Sequence, residues 1–376
     1  MQRVRRIWSL TVNEFIHLRT DWWLPAFMLL GGAMELLLVG YATSRPITNL
    51  PLMVYDQDHS AASRSVVTAL VNTGTFSLQA EVQSMAPIDA AMNRGDINAA
   101  LVIPPGFAEQ VQAADGHPVL LAILNGADNT PAEASLRAIQ GVATSMGQSI
   151  AVQRLGLNPG QLAGFEPSLR VWFNEALSEA LYTTPAELGL MLEFTVLLFA
   201  ALTFAREREL GTLEQLLVMP FSSFDLIVGK SLPVVIVGLS DFALMLGMIH
   251  FAFGVPVRGS VPLLAVLAFG YVLVELSKGL VISVVSRSQH QAFLLVLLIG
   301  MVDFMFTGYA APVESMPVAL QWFANLIPAH HWLTILRGLL LKGAGFDLLW
   351  PHVAALAGLG LVIGTFSWRF VRRSLD

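Results

Sequence analysis

The chain has 376 residues, 55% of them hydrophobic and 13% charged, with a mean hydropathy of +0.64. Soluble domains carry about twice that share of charge, which excludes a disordered chain or an ordinary soluble enzyme and points to several membrane crossings. There is no cysteine, which excludes disulfides, thiol nucleophiles and cysteine-ligated metals, and the net charge of −6 offers no basic surface for nucleic acid.

Residues 1–21 place Val4, Ile7, Trp8, Phe15 and Leu18 on one helical face and Arg6, Ser9, Asn13 and His17 opposite. That pattern fits an amphipathic helix on the inner leaflet, or a helix packed on other protein, and both readings stand. A span of about 20 apolar residues follows, Trp22 to Tyr41. It is longer than the apolar core of a cleaved leader, and no small-x-small site follows it, so it reads as a retained first transmembrane helix over 22–41.

Residues 42–180 change character, with twelve acids against six bases. Strand-like and helix-like text alternates. "LPLMVYD" reads as a strand and "SAASRSVVTALVN" as a helix with Ser60 near its N-cap. "TFSLQAEV" is a strand and "PIDAAMNRG" a helix ending near Gly95. "NAALVIP" is a buried strand, "GFAEQVQAADG" a helix, and "PVLLAILN" a further buried strand. A longer helix runs from about Ala132 to Leu155. This order predicts an α/β domain with a small sheet, inserted after the first span. His59 beside Asp56 and Asp58 has the composition of a metal site, but a strand-end turn with a polar helix cap is the simpler reading. No nucleophile, base and orienter set is visible.

Residues 181–376 contain five more apolar stretches: Ala186–Ala205, Ile227–Phe253, Val261–Val285, Ala292–Tyr309 and His352–Phe370. The whole is therefore a polytopic α-helical membrane protein with six transmembrane helices. Arg3, Arg5, Arg6, Arg19, Arg206, Arg208, Lys230, Arg287, Arg369, Arg372 and Arg373 flank the spans on one side. By the positive-inside rule that side is cytoplasmic, together with both termini, and the 42–180 insert lies outside.

The turn after the second span, residues 206–220, is the most informative. Arg206-Glu207-Arg208-Glu209 ends an apolar helix, Gly211 breaks it, and Thr212 is placed to cap a new one. Leu213, Leu216 and Leu217 give that helix an apolar face, Glu214 and Gln215 face away, and Pro220 stops it. A short helix at the membrane surface can pass motion to a cytoplasmic partner; an ordinary solvated loop is the alternative. "VGKS" (Val228–Ser231) imitates the end of a P-loop, but Phe224 stands where the first glycine belongs. The sequence therefore encodes no ATP site.

Glu35, Glu193, Asp241, Glu275, Lys278 and Asp303 fall within the apolar stretches. Such groups are costly in a bilayer and face a bundle interior or water. Glu275 and Lys278, three apart, share a helix face. The six either line a polar pathway, favouring a cationic or amphipathic substrate, or form structural ion pairs and hydrogen bonds; Asp303 is also placed to sit near the outer surface. Residues 309–345 hold Pro312, Pro317, Trp322, Pro328 and His330-His331-Trp332 and are too broken for a plain span. Metal binding there is disfavoured because adjacent helical residues point apart.

"REREL GTLEQLLVMP" followed by "GKSLP", "TGYAAPVESMP" and "LIPAHHWLTILRGLLLKGAG" closely resembles the permease subunits of ABC-2-type transporters. The likeness is greatest to bacterial inner-membrane export permeases with one large periplasmic domain between their first two spans. "VYDQDHSAASR" and "RVWFNEAL" (Arg170–Leu177) resemble pieces of that domain, so the likeness covers nearly the whole chain. It implies that a second permease copy or a paralogue completes a dimer in the lipid bilayer. It implies that separate ABC ATP-binding subunits, carrying ATP and Mg, dock on the cytoplasmic side, with no cofactor in this chain. It further implies efflux of small amphipathic or drug-like substrates, with a periplasmic adaptor and an outer-membrane channel. The segment 309–345 would re-enter the outer leaflet. Arg206, Glu207, Arg208, Glu209, Gly211, Thr212, Leu213, Glu214 and Gln215 would form the ATPase-coupling element. Two other classes are weighed beside this one. A mechanotransmitting membrane subunit would drive a periplasmic partner without passing substrate. An ion-coupled secondary transporter would need inverted repeats, and none is visible.

Overall fold

The computed structural model describes residues 2–44, 47–113, 115–155, 173 and 178–375. All of "RVWFNEAL" but Phe173 lies outside them, as does the Leu217 side chain. The chain divides into two compact units, Arg45–Arg170 and Met1–Ser44 with Val171–Asp376.

The smaller unit carries β1 (Leu50–Asp56), α3 (Ala61–Asn72), β2 (Phe76–Glu81), α4 (Met85–Arg94), β3 (Ala99–Ile103), α5 (Phe107–Gln112), β4 (Leu121–Leu124) and α6 (Asn129–Leu155). The strand order is β2-β1-β3-β4, parallel except for the antiparallel β3–β4 pair. Alternation along β1 builds two cores. Leu50, Leu52 and Val54 pack with Val66, Leu70, Phe107 and Val142 from α3, α5 and α6. Met53 and Tyr55 face the other way, towards Ile88 and Ala91 of α4. The expected "PVLLAILN" strand is real but shorter, and it is not buried: Leu121 is 54% exposed. It is an antiparallel edge, with one neighbour instead of two.

The strand-end turn forms the polar cap. Asp56 accepts hydrogen bonds from the backbone N–H of Asp58 and His59 and from Ser63 Oγ at 2.9, 3.0 and 2.6 Å. Ser60 and Ser63 make a reciprocal capping box at the start of α3. Asp58 accepts from Ala108 N at the start of α5, 3.1 Å away. Partial burial raises the Asp56 carboxyl, but these hydrogen bonds outweigh it and hold it below its ordinary 3.8. Among the described residues no group of three His, Asp or Glu is arranged to hold a metal.

The larger unit begins with α1 (Gln2–Thr20) and α2 (Trp23–Ser44). After the smaller unit come α7 (Glu179–Glu209), α8 (Leu213–Val218), α9 (Ser223–Phe253), α10 (Val261–Val285) and α11 (Gln289–Phe306). A short 3-10 turn, α12 (Val318–Ala324), α13 (Pro328–Arg337) and a π-helical turn lead to α14 (Phe346–Leu375). Among the described residues six helices are long and apolar enough to cross a membrane: α2, α7, α9, α10, α11 and α14. The most buried of these is α7, which packs against α2, α9, α10, α11 and α13. Its approach to α10 depends on Gly279, where a Cβ would stand 2.5 Å from Ala200 Cβ and 2.7 Å from the Leu197 carbonyl.

The first helix lies against α9. Leu10 and Thr11 are buried there, Thr11 Oγ1 donates to the Gly229 carbonyl at 3.1 Å, and a Cβ on Gly229 would meet Leu10. Val4, Trp8 and Ile16 stay exposed at 72, 64 and 54%. The helix therefore has a protein-packed face and a separate exposed apolar face, where the sequence offered these as alternatives.

Candidate functional site

Two polar constellations stand out in the larger unit. The first is built on the last turn of α7. Successive residues on a helix point 100° apart, so four consecutive charges radiate to four neighbours. Arg206 pairs with Asp21, between α1 and α2, at 2.5 Å. Glu207 takes the Lys230 ammonium of α9 at 2.8 Å, and Glu14 of α1 binds the same ammonium. Arg208 donates to the Val284 and Ser286 carbonyls at the C-terminal end of α10, both at 2.6 Å. A cation suits that end of a helix, where carbonyls lack intrahelical partners. Glu209 accepts from Gln289 N, the first residue of α11, at 2.6 Å, the matching arrangement for an anion at a helix N-terminus. The run is therefore no solvated loop.

Gly211 is left-handed, with φ 69°, and turns the chain into α8. Thr212 does not cap that helix with its side chain. Its hydroxyl instead donates to the Glu207 carboxylate and its N–H to the Glu207 carbonyl at 2.9 Å. The expected cap is thus replaced by a tie back to α7. Leu213 is partly buried, Glu214 and Gln215 are exposed, and Leu210, Val218 and Met219 present 61, 85 and 47% of their surface. Val228–Ser231 lies inside α9, with Lys230 engaged by two carboxylates, so it is no phosphate-binding loop.

The second constellation is buried. Lys278 Nζ lies 2.6 Å from Asp303 of α11, 2.7 Å from Glu275 on its own helix and 3.2 Å from Glu193 of α7. Tyr271, one turn before Glu275, donates to Glu193 at 3.3 Å and stacks on Trp332 of α13 at 4.9 Å. Glu193, Tyr271 and Trp332 border a void of 10 Å³, about one water in size. One ammonium thus gathers three carboxylates from three helices in a nearly closed space. Asp303, only 6% exposed, belongs to this cluster and does not sit at an open surface.

The remaining two candidates stand apart. Asp241 is buried and accepts from Thr195 Oγ1 at 2.8 Å. Glu35 lies on an exposed face of α2. Adjacent His330 and His331 do not diverge as expected: their rings sit 5.3 Å apart, and His352 of α14 joins them, its Nδ1 3.1 Å from that of His331. Sequence reading passed over Glu14, Asp21, Thr195 and Tyr271. Tyr271 was within reach, because positions 271, 275 and 278 fall on one helical face. The others needed tertiary contacts. Glu187 was missed as well; it is buried and hydrogen-bonded by Tyr309.

The comparisons agree with this architecture. A family model described as ABC-2 family transporter protein matches residues 22–369. The chain is 26% identical over 370 residues to the probable multidrug ABC transporter permease YbhR of Escherichia coli K12, covering 98% of this chain and 99% of that protein. It is 26% identical over 377 residues to the inner membrane transport permease YhhJ of the same strain, with 100% and 99% covered. It is 27% identical over 381 residues to the probable multidrug ABC transporter permease YbhS, with 99% and 98% covered. The six helices, the run that ends the second of them and the match over nearly the whole length lead to one conclusion: the chain belongs to the ABC-2 family of transporter proteins.

Proposed function

We propose that the chain is the membrane subunit of an ATP-driven exporter, coupled through residues 206–220 to a separate ABC ATP-binding subunit that holds ATP and Mg. The observation that carries this is the radiating run on α7. A push on α8 passes through the Thr212–Glu207 tie into α7 and from there to α1, α9, α10 and α11. Exposed Leu210, Val218 and Met219 supply an apolar docking patch beside Glu214, as protein interfaces require. Two copies, or one copy and a paralogue, line the pathway. The substrate is small and amphipathic or drug-like, a reading supported by the printed names of YbhR and YbhS and by the buried carboxylates. The bases at the ends of α1, α7 and α14 support a cytoplasmic position for those ends and for both termini. The α/β unit, within 42–180, then lies in the periplasm, where it can meet an adaptor leading to an outer-membrane channel. Residues 1–21 lie at the inner surface and 309–345 at the outer one.

The test begins with the tagged chain extracted mildly from native membranes. An ATPase is expected to co-purify and hydrolyse ATP. Glu207→Ala/Glu209→Ala is expected to retain folded permease while losing the ATPase or lowering transport at least tenfold. Absence of any ATPase under several mild conditions sinks the proposal.

A further inference from the structure

A furrow of about 290 Å³ runs between α9, α10 and α14, walled by Leu232, Val235, Phe269, Leu273, Trp368 and Val371. Three serines, Ser231, Ser277 and Ser367, interrupt its apolar lining. Ser231 is 7% exposed, and its hydroxyl has no hydrogen-bond partner. Gly364 and Trp368 also line a larger open cleft of 740 Å³, which is bordered by Arg369, Arg372 and Arg373. Trp368 packs edge-on against Phe224 at 5.7 Å, and Arg3 lies 5.3 Å above the same Phe224 ring. Asp225 partly neutralises Arg3, at 3.5 Å, so Arg369 and Arg373 of α14 carry most of the charge at the cleft. No carboxylate is among the described residues lining either cavity.

An apolar slot asks for a hydrocarbon chain. Guanidinium groups in a cluster match phosphate oxygens by shape and charge, and a tryptophan at the junction suits the boundary between the two. We propose that this furrow binds an anionic glycerophospholipid, one acyl chain lying between α9, α10 and α14 and the phosphate held by Arg369 and Arg373. The chain of the lipid then serves as the packing layer between α9 and α14.

Native mass spectrometry of the full chain in detergent tests this, with dioleoyl phosphatidylglycerol, dioleoyl phosphatidylcholine and inorganic phosphate as probes. Phosphatidylglycerol is expected to bind at least tenfold more tightly than phosphatidylcholine. Arg369→Gln/Arg373→Gln is expected to remove about tenfold of that preference while leaving phosphatidylcholine binding unchanged. Gly364→Leu fills the slot and is expected to weaken both lipids. Gly364→Ala is the folding control, since a Cβ there meets only Ser277 Oγ at 3.7 Å. If Gly364→Leu fails to fold, Leu273→Trp fills the same slot from α10. Equal binding of the two lipids, full phosphatidylglycerol binding by a slot-filling variant, or displacement of the lipid by inorganic phosphate each overturns the proposal. So does cross-linking of two copies through Leu361→Cys in native membranes, because the furrow would then belong to a second copy.

Discussion

Lys278 is the residue on which the buried cluster turns. Removing its ammonium leaves Glu193, Glu275 and Asp303 facing one another without a cation. Breaking a buried pair from one side costs about 3–5 kcal/mol. Lys278→Met is therefore expected to lower the thermal midpoint of the purified protein by several degrees, and Lys278→Met/Glu193→Gln/Asp303→Asn to recover part of it. In the smaller unit, Ser60→Ala is expected to cost about 1 kcal/mol through loss of its cap, read by hydrogen exchange in α3. Asp56 sets a pH dependence of definite sign. Its folded value lies below the ordinary 3.8, so its stabilisation is complete above that pH and is lost as pH falls through the folded value. Amides of α3 are expected to lose protection below about pH 4, and in Asp56→Ala that loss shrinks. At this scale the sequence was readable where partners lie within a turn or two, as with Asp56 and Ser60, or Glu275 and Lys278. It was silent where partners come from distant segments, as with Lys230 between Glu14 and Glu207.

Elements follow their text more faithfully than residues do. Hydrophobic length alone located the six helices that are long and apolar enough to cross a membrane, and strand-like text located β1, β2 and β3. What composition misjudged was neighbourhood. The "LLAIL" text is as apolar as that of a central strand, yet β4 sits at an edge, because apolar content does not reveal how many strands flank it. Thr212 has the chemistry of a cap, but a carboxylate five residues back competes for its hydroxyl. Gly279 has a role that no local pattern announces, since it is set by the distance between α7 and α10. Gly279→Leu is expected to force these helices apart and to reduce the yield of monodisperse protein severalfold in size-exclusion chromatography. Gly270→Ala on the same helix, where a Cβ meets nothing within 4 Å, is expected to have no effect.

For the whole molecule, the absence of cysteine gives a clean test of orientation. Gln215→Cys on α8 and Glu109→Cys on α5 are expected to react with a membrane-impermeant maleimide from opposite sides of sealed vesicles. Labelling from the same side would contradict the proposed arrangement. The radiating run also sets a rule about counting. Each of its four side chains reaches its own neighbour only because of its phase on the α7 cylinder. Inserting a single alanine between Ala205 and Arg206 would rotate everything after it by about 100° and hand each charge to the wrong helix at once. The spelling of this stretch is open to conservative revision, but its reading frame relative to the span is not. One added residue is therefore expected to abolish function more completely than any single substitution within the run.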